Sequence, residues 1–344
     1  MQGYYNPGCG AGENFMNQGF AIWRPPGGSP QGLAGRFQES IITDIDLQHG
    51  FLFKPWSTEQ PCSFIYGERV FQEALLREWT EYPDFETEIT QHGMMDLEVW
   101  RGYIQSIQHE IAQGGVQKVV AARTQMVDTR VGLFDAFLAA CARYPDAFVS
   151  IVYHEQYGIW LGATPEILVQ PLGDDWETVS MAGTLIDDVT GWTGKEIDEN
   201  TVTQQHLEEV LQRVGAQIIE SGKADAVRAG ALRHLVRHYQ FSLPPSHIHS
   251  FIAQLHPTPA VGGYIREKAL SIIDAHESNG RGLFAGYLGY YENAKPHLWV
   301  NLRCCRWYGS KALLHAGAGI NAMSHADAEW AETEAKMATI GGCL

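Results

Sequence analysis

The chain has 344 residues, 24 Lys and Arg against 40 Asp and Glu, and a formal net charge of −16. That balance excludes a nucleic acid or an anionic membrane as the main partner, and an anionic small substrate would need a local cation. With 45% hydrophobic residues the chain can bury a sizeable core as one large domain or two small ones, and no apolar run is long enough to span a bilayer.

The first residues lack a basic region followed by an apolar stretch, so no signal peptide is expected. Six cysteines, Cys9, Cys62, Cys141, Cys304, Cys305 and Cys343, show no C-x-x-C spacing. That fits reduced thiols in the cytoplasm better than disulfides or zinc. Cys304 and Cys305 are adjacent in a strand-like run and should pack on opposite faces.

In chain order, residues 1–60 offer only short apolar runs, Ile41–Leu47 and Phe51–Trp56, that suggest strands. From Leu97 the pattern sharpens. Trp100, Ile104, Ile107 and Ile111 recur at helical spacing, and Gly114-Gly115 can stop that helix. Lys118–Arg123 reads as a strand and Leu133–Cys141 as an amphipathic helix. Phe148–Tyr153 and Gly158–Leu161 read as a hairpin. Gly162–Glu166 interrupts its second strand, which Ile167–Gln170 resumes. Trp176–Leu185 is another strand. Asn200–Val214 is a helix with Val202, Leu207, Val210, Leu211 and Val214 as its apolar stripe. Val236–Phe241 is strand-like. His256-Pro257-Thr258-Pro259 cannot be regular helix. Tyr264–Ala275 resumes a helix, and Leu283–Tyr291, Leu298–Trp307 and Ala312–Ala316 are late strands. The last of these ends in Ala316-Gly317-Ala318-Gly319, and a helix then carries Glu329, Glu332 and Lys336 on one face. Strands in hairpin order, with helices between blocks, predict mixed α+β layers rather than a Rossmann fold. The G-x-G at Gly317 and Gly319 lacks the third glycine of a dinucleotide motif.

Polar residues stand where the apolar periodicity breaks. Lys118 opens a strand, Glu166 follows a proline within one, and Arg303 interrupts another. Glu196 and Glu199 lie i, i+3 at one helix start, and Glu329 and Glu332 lie i, i+3 on another helix. Each alone reads as surface charge or a structural ion pair. Together they offer two acidic pairs for a hard divalent cation, an Arg for a carboxylate, and a Lys and a Glu for acid–base work.

The sequence resembles the chorismate-utilising enzymes, and within them the isochorismate synthase branch. The matching stretches are KVVAAR (118–123), GATPE (162–166), MAGT (181–184), KEIDEN (195–200), LRHL (232–235), HPTPAVGG (256–263), RGLFAGYLGYY (281–291), NLRCC (301–305), AGAGI (316–320) and EWAETEAK (329–336). They keep the family's order across residues 95–340. Residues 1–95 match loosely and are expected to be the N-terminal part of one domain whose catalytic region is 96–344.

The resemblance implies an α+β domain of two large β-sheets packed face to face and flanked by helices, a four-layer αββα arrangement, with Mg²⁺ as cofactor. It carries the metal ligands onto Glu199 and Glu332, with Glu196 and Glu329 supporting through water. Val202 stands three residues after Glu199 where the family places a hydrophobic residue four after its ligand, which leaves Asp198 as an alternative. Arg303, with the backbone of Gly317 and Gly319 and with Lys336, is expected to hold the enolpyruvyl carboxylate. Ala182, Gly183 and Thr184 line the substrate site and His234 positions the ring.

Two positions separate the branches. Water-adding members resemble this chain in having a lysine at Lys118, and aminodeoxychorismate synthases have a nucleophilic lysine where Ala182 stands. The implied reaction is isomerisation of chorismate to isochorismate: Lys118 activates water for C2 and Glu166 protonates the departing C4 hydroxyl. Salicylate synthase, which goes on to eliminate pyruvate, and a non-catalytic chorismate binder are the alternatives. The product could feed menaquinone or a siderophore, and no obligatory protein partner is expected.

Overall fold

The structure, a computed structural model, describes residues 19–81, 95–186, 191–229, 232–278 and 280–344. The expected absence of a leader, and Cys9, fall on residues 1–18, outside the described residues. The expected boundary at residue 95 adjoins residues 82–94, which also lie outside them.

The strands pair into two large antiparallel sheets, with helices on the outside. The eight-stranded sheet runs Gly263–Tyr264, Lys118–Asp128, Lys311–Ile320, Cys304–Trp307, Gly158–Thr164, Phe148–His154, Gly19–Arg24 and Gln31–Gly35. The ten-stranded sheet runs Gln217–Ser221, Leu232–Ser242, Asp175–Leu185, Ile167–Leu172, Lys295–Val300, Tyr287–Glu292, Gly50–Lys54, Cys62–Ile65 and Gln38–Ser40, with Asp225–Ala229 also on Leu232–Ser242. This is the expected α+β fold of two packed sheets. Residues 19–65 contribute strands to both sheets, so the loosely matching part is woven into the same body as the rest.

Large apolar side chains fill the space between the sheets. Phe148 stacks on Trp299 at 4.1 Å, and Trp23 packs on Phe51 at 5.1 Å. A second cluster, including Phe134, Phe137, Leu161, Leu314 and Met337, covers the outer face of the eight-stranded sheet. Cys304 joins the inner cluster and Cys305 the outer one, as strand alternation requires.

Several expectations are corrected. Ile41–Leu47 contains a short 3-10 turn, Ile42–Asp44, and no strand; the neighbouring strand is confined to Gly50–Lys54. Leu283–Gly286 is a turn rather than the start of a strand, with Ala285 at φ 62°. The helix expected from Asn200 begins at Gly194, because Thr193 and Glu196 form a capping box there. The strand Gln217–Ser221 escaped notice because it is exposed throughout and so shows no alternation.

The correction that matters most concerns two strands read as continuous. Gly158–Thr164 lies in the eight-stranded sheet, but Ile167–Leu172 lies in the ten-stranded one, and the chain crosses between them at Pro165-Glu166. Lys295–Val300 and Cys304–Trp307 likewise belong to different sheets, with Asn301-Leu302-Arg303 crossing between them. The crossings are neighbours. Val300 N–H donates to the Glu166 carbonyl at 3.0 Å, and Ala163 N–H to the Arg303 carbonyl at 3.1 Å. Arg303 holds φ at 50°, a conformation costly for a side-chain-bearing residue and fixed here by that pairing.

Candidate active site

The two crossings open into a pocket enclosing about 670 Å³ between the sheets. Its lining includes Lys118, Glu166, Ala182, Gly183, Thr184, Glu199, His234, Arg303, Gly317, Gly319 and Lys336. Strand Lys118–Asp128 contributes its first residue. Strands Asp175–Leu185 and Leu232–Ser242 contribute Ala182–Thr184 and His234, with a bulge between Ala182 and Thr184. Gly183 sits in that bulge at φ 81°, and a Cβ there would lie 2.9 Å from the Glu196 carbonyl of the helix packed behind it. The Ala182 methyl is inert, and its carbonyl accepts from Asn200 Nδ2 at 3.2 Å.

Helices Gly194–Arg213 and Ala326–Gly341 bring the acidic residues in. Glu199, Glu329 and Glu332 are buried, whereas Asp198 is exposed, so helical geometry turns Glu199 and not Asp198 toward the pocket. Glu196 is buried but turned elsewhere: its Oε2 accepts from Thr193 N–H at 2.9 Å and caps its own helix. The expected water-mediated place beside a metal is therefore not where its carboxylate points.

Glu199 fits because residue 319 has no side chain. A Cβ there would come 2.1 Å from Glu199 Oε2 and 2.8 Å from Lys118 Cε. Gly319→Ala should therefore destabilise the fold by about 1–3 kcal/mol through overpacking, read as a fall in thermal midpoint. Gly102→Ala, on a helix with open space around it, should leave the midpoint unchanged or raise it. Equal midpoints for the two variants would contradict the steric account. The Gly317 carbonyl accepts from Lys336 Nζ at 2.9 Å, and Lys336 also pairs with Glu332 at 2.6 Å.

Lys118 Nζ lies 3.2 Å from Glu199 Oε2, both side chains being buried. Burial pushes the Lys118 amine below its usual range, while the Glu199 carboxylate pulls the other way. Burial is the larger effect, and the nearby Lys195 and Lys336 ammoniums add to it by repelling a further proton on Lys118. Glu166 is pushed up to about 7 by burial, against the pull of Lys118, Arg303 and Lys336. The pocket thus holds an amine shifted toward its neutral form and a carboxyl shifted toward its protonated form.

Arg303 is held down to about 10 by burial and remains a cation at neutral pH. One of its nitrogens, Nη2, lies 2.8 Å from His234 Nε2, while Nη1 is buried without a partner among the described residues. An arginine can only donate, so His234 Nε2 accepts and the imidazole is the Nδ1–H tautomer, with Thr184 Oγ1 at 3.2 Å. Burial, with Arg303 and Lys336 nearby, holds His234 well below its ordinary pKa, consistent with that neutral form. His234 therefore orients Arg303, whose unpartnered Nη1 suits an anionic ligand.

Sequence reasoning missed Lys195 and Arg281. Lys195 Nζ stands 3.1 Å from Glu199, 3.0 Å from Glu329 and 3.5 Å from Glu332. Arg281 pairs with Glu277 and donates to the carbonyls of Val120 and Val261, pinning two lining segments together. Among the described residues no three carboxylate, imidazole or thiol groups close around one metal-sized point. Glu199, Glu329 and Glu332 instead surround the Lys195 ammonium, at ion-pair distances longer than metal–oxygen contacts. The donors still fit Mg²⁺: they are hard oxygens, and Glu199 Oε1 is buried without an aligned hydrogen bond from any described residue.

A polar pocket with buried cations facing an enclosed space describes a site for a small anion. The profile of the chorismate binding enzyme family matches residues 65–344, and the chain belongs to that family. It is 26% identical over 240 residues to isochorismate synthase EntC of Escherichia coli K12, covering 65% of this chain and 61% of that one. It is 28% identical over 251 residues to isochorismate synthase MenF of the same organism, covering 70% and 58%. The chain thus spans about six tenths of the length of these curated relatives. In fold it is similar to a crystal structure described as a 2,3-dihydroxybenzoate-specific isochorismate synthase, DhbC, from Bacillus anthracis. The TM-score is 0.77 at 19% identity, covering 96% of this chain and 97% of that one. Among the described residues no helix is long and apolar enough to cross a membrane.

Proposed function

We propose that this protein is an isochorismate synthase that adds water at C2 of chorismate and releases the C4 hydroxyl, with Mg²⁺ as cofactor. The observation that carries the reading is the presence of Lys118, Glu166 and the unpartnered Arg303 Nη1 in one buried pocket. Neutral Lys118 takes a proton from water as it attacks C2. The ring double bonds shift, and protonated Glu166 gives its proton to the oxygen leaving C4. One water enters and one leaves, and proton return from Lys118 to Glu166 resets the pair. Arg303, oriented by His234, binds the enolpyruvyl carboxylate. Glu199 and Glu332 would hold Mg²⁺, which supplies positive charge for the ring carboxylate. With Ala182 in the pocket there is no amine at that position to compete with water as nucleophile.

Incubation with chorismate and Mg²⁺, followed by chromatography, should yield isochorismate. Salicylate as the product would move the assignment to the pyruvate-eliminating branch, and unchanged chorismate would leave a binder. Chelation with EDTA should abolish turnover and added Mg²⁺ restore it. Full activity after exhaustive chelation would remove the metal from the scheme.

A further inference from the structure

The reaction scheme gives Lys195 no task, yet its ammonium holds the most charged position in the site. Three oxygens from three buried carboxylates converge on it: Glu329 Oε2 at 3.0 Å, Glu199 Oε1 at 3.1 Å and Glu332 Oε2 at 3.5 Å. They come from two different helices. The second oxygens of two of them are directed elsewhere, Glu199 Oε2 to Lys118 and Glu332 Oε1 to Lys336. Three acidic side chains thus face three lysine amines. A divalent cation placed among these carboxylates would stand within a few ångströms of the Lys195 charge, in a buried setting where like charges repel strongly. The two cations cannot share the point at which the carboxylates meet.

Lys195 also has a way out of the cluster. It lies in the first turn of helix Gly194–Arg213. Its side chain keeps 11% of its surface exposed, against 3% for Lys118. Its four-carbon stem lets the ammonium swing to water without moving the backbone. Lys336, by contrast, is tied to the Gly317 carbonyl as well as to Glu332. Glu199 Oε1 makes no aligned hydrogen bond to Lys195, so part of the contact is charge attraction alone.

We propose that Lys195 is a built-in cation that occupies the meeting point of Glu199, Glu329 and Glu332 when metal is absent and swings out when Mg²⁺ enters. The inference rests on the reading of Glu199 and Glu332 as metal ligands. Lys195 keeps the carboxylates gathered in the metal-free protein and weakens metal binding by competing for the same oxygens.

The test uses the whole chain and Mg²⁺ alone, without chorismate. Mg²⁺ is titrated calorimetrically into metal-free wild type, Lys195→Met and Lys195→Arg. Separately, the acetylation of Lys195 by an amine reagent is followed by mass spectrometry with and without Mg²⁺, with exposed Lys311 as reference. Lys195→Met should bind Mg²⁺ about tenfold more tightly than wild type, and Lys195→Arg no more tightly. The Lys195 amine should be protected in the metal-free wild type and become reactive as Mg²⁺ saturates it, which charge repulsion without displacement would not produce. Mg²⁺ binding with Lys195 still protected, or Lys195→Met binding no tighter than wild type, overturns the proposal and leaves the metal site standing. Absence of Mg²⁺ binding in wild type and Lys195→Met alike overturns both. Should Lys195→Met fail to fold without metal, the wild-type acetylation result decides.

Discussion

Lys118→Ala is expected to lower turnover by about 10²–10⁴-fold, the range for a lost acid–base group, while the protein stays folded. Lys118 opens its strand at 2% exposure, and burial favours its uncharged, proton-accepting form. Chorismate binding should weaken little, because in this scheme Arg303 and not Lys118 holds a carboxylate. Were Lys118 only an ion-pair partner of Glu199, its loss would move the thermal midpoint and leave the rate per folded molecule nearly intact. Turnover and midpoint measured on one preparation separate the two cases. The pH profile adds a second readout: turnover should fall on the acid side as Lys118 takes up a proton, and that limb should be absent from the variant. A folded Lys118→Ala protein working at close to the wild-type rate would sink the water-activating scheme.

Glu166→Gln should lose activity to a similar degree yet gain stability at alkaline pH. The Glu166 carboxyl is pushed up to about 7 in the folded chain by burial, from an ordinary 4.5. Below pH 4.5 both folded and unfolded states carry the proton, and burial of the neutral acid costs little. Between 4.5 and 7 the unfolded state ionises first, so stability falls as pH rises, and above 7 the loss levels off at about 3 kcal/mol. Glutamine cannot ionise and escapes this loss. The variant should therefore melt close to wild type near pH 4 and above it at pH 8. A variant less stable than wild type at pH 8 would mean that ionised Glu166 is well solvated, and its place as the proton donor would fall with that.

Much of this site was legible in the sequence, because Lys118, Glu166, Glu199, His234, Arg303 and Glu332 each interrupt an apolar pattern or lie within a quoted motif. The side chains that had to be seen folded are of another kind. Glu196 forms a T-x-x-E pair with Thr193, a capping signal that the acidic i, i+3 pair obscured. Lys195 in a helix's first turn looks like any solvated lysine until a second helix brings two more carboxylates to it. In Gly158–Gln170 and Leu298–Trp307 apolar runs lie close on both sides of each break, and the sequence pattern does not record which sheet a strand joins. The need for glycine at 319 depends on Glu199 arriving from far along the chain.

The paired crossings at Pro165-Glu166 and Asn301–Arg303 bear on how this pocket can select what it holds. A cleft between two lobes tightens by rotation about a hinge, and its selectivity can come from closure. Here Glu166 and the Arg303 guanidinium ride on the joints that stitch one sheet to the other. Sliding or spreading the sheets would pull both residues out of place together. Selection of a ligand would then rest on complementarity already in place, set by Arg303 on its strained backbone and by the bare backbone at Gly319.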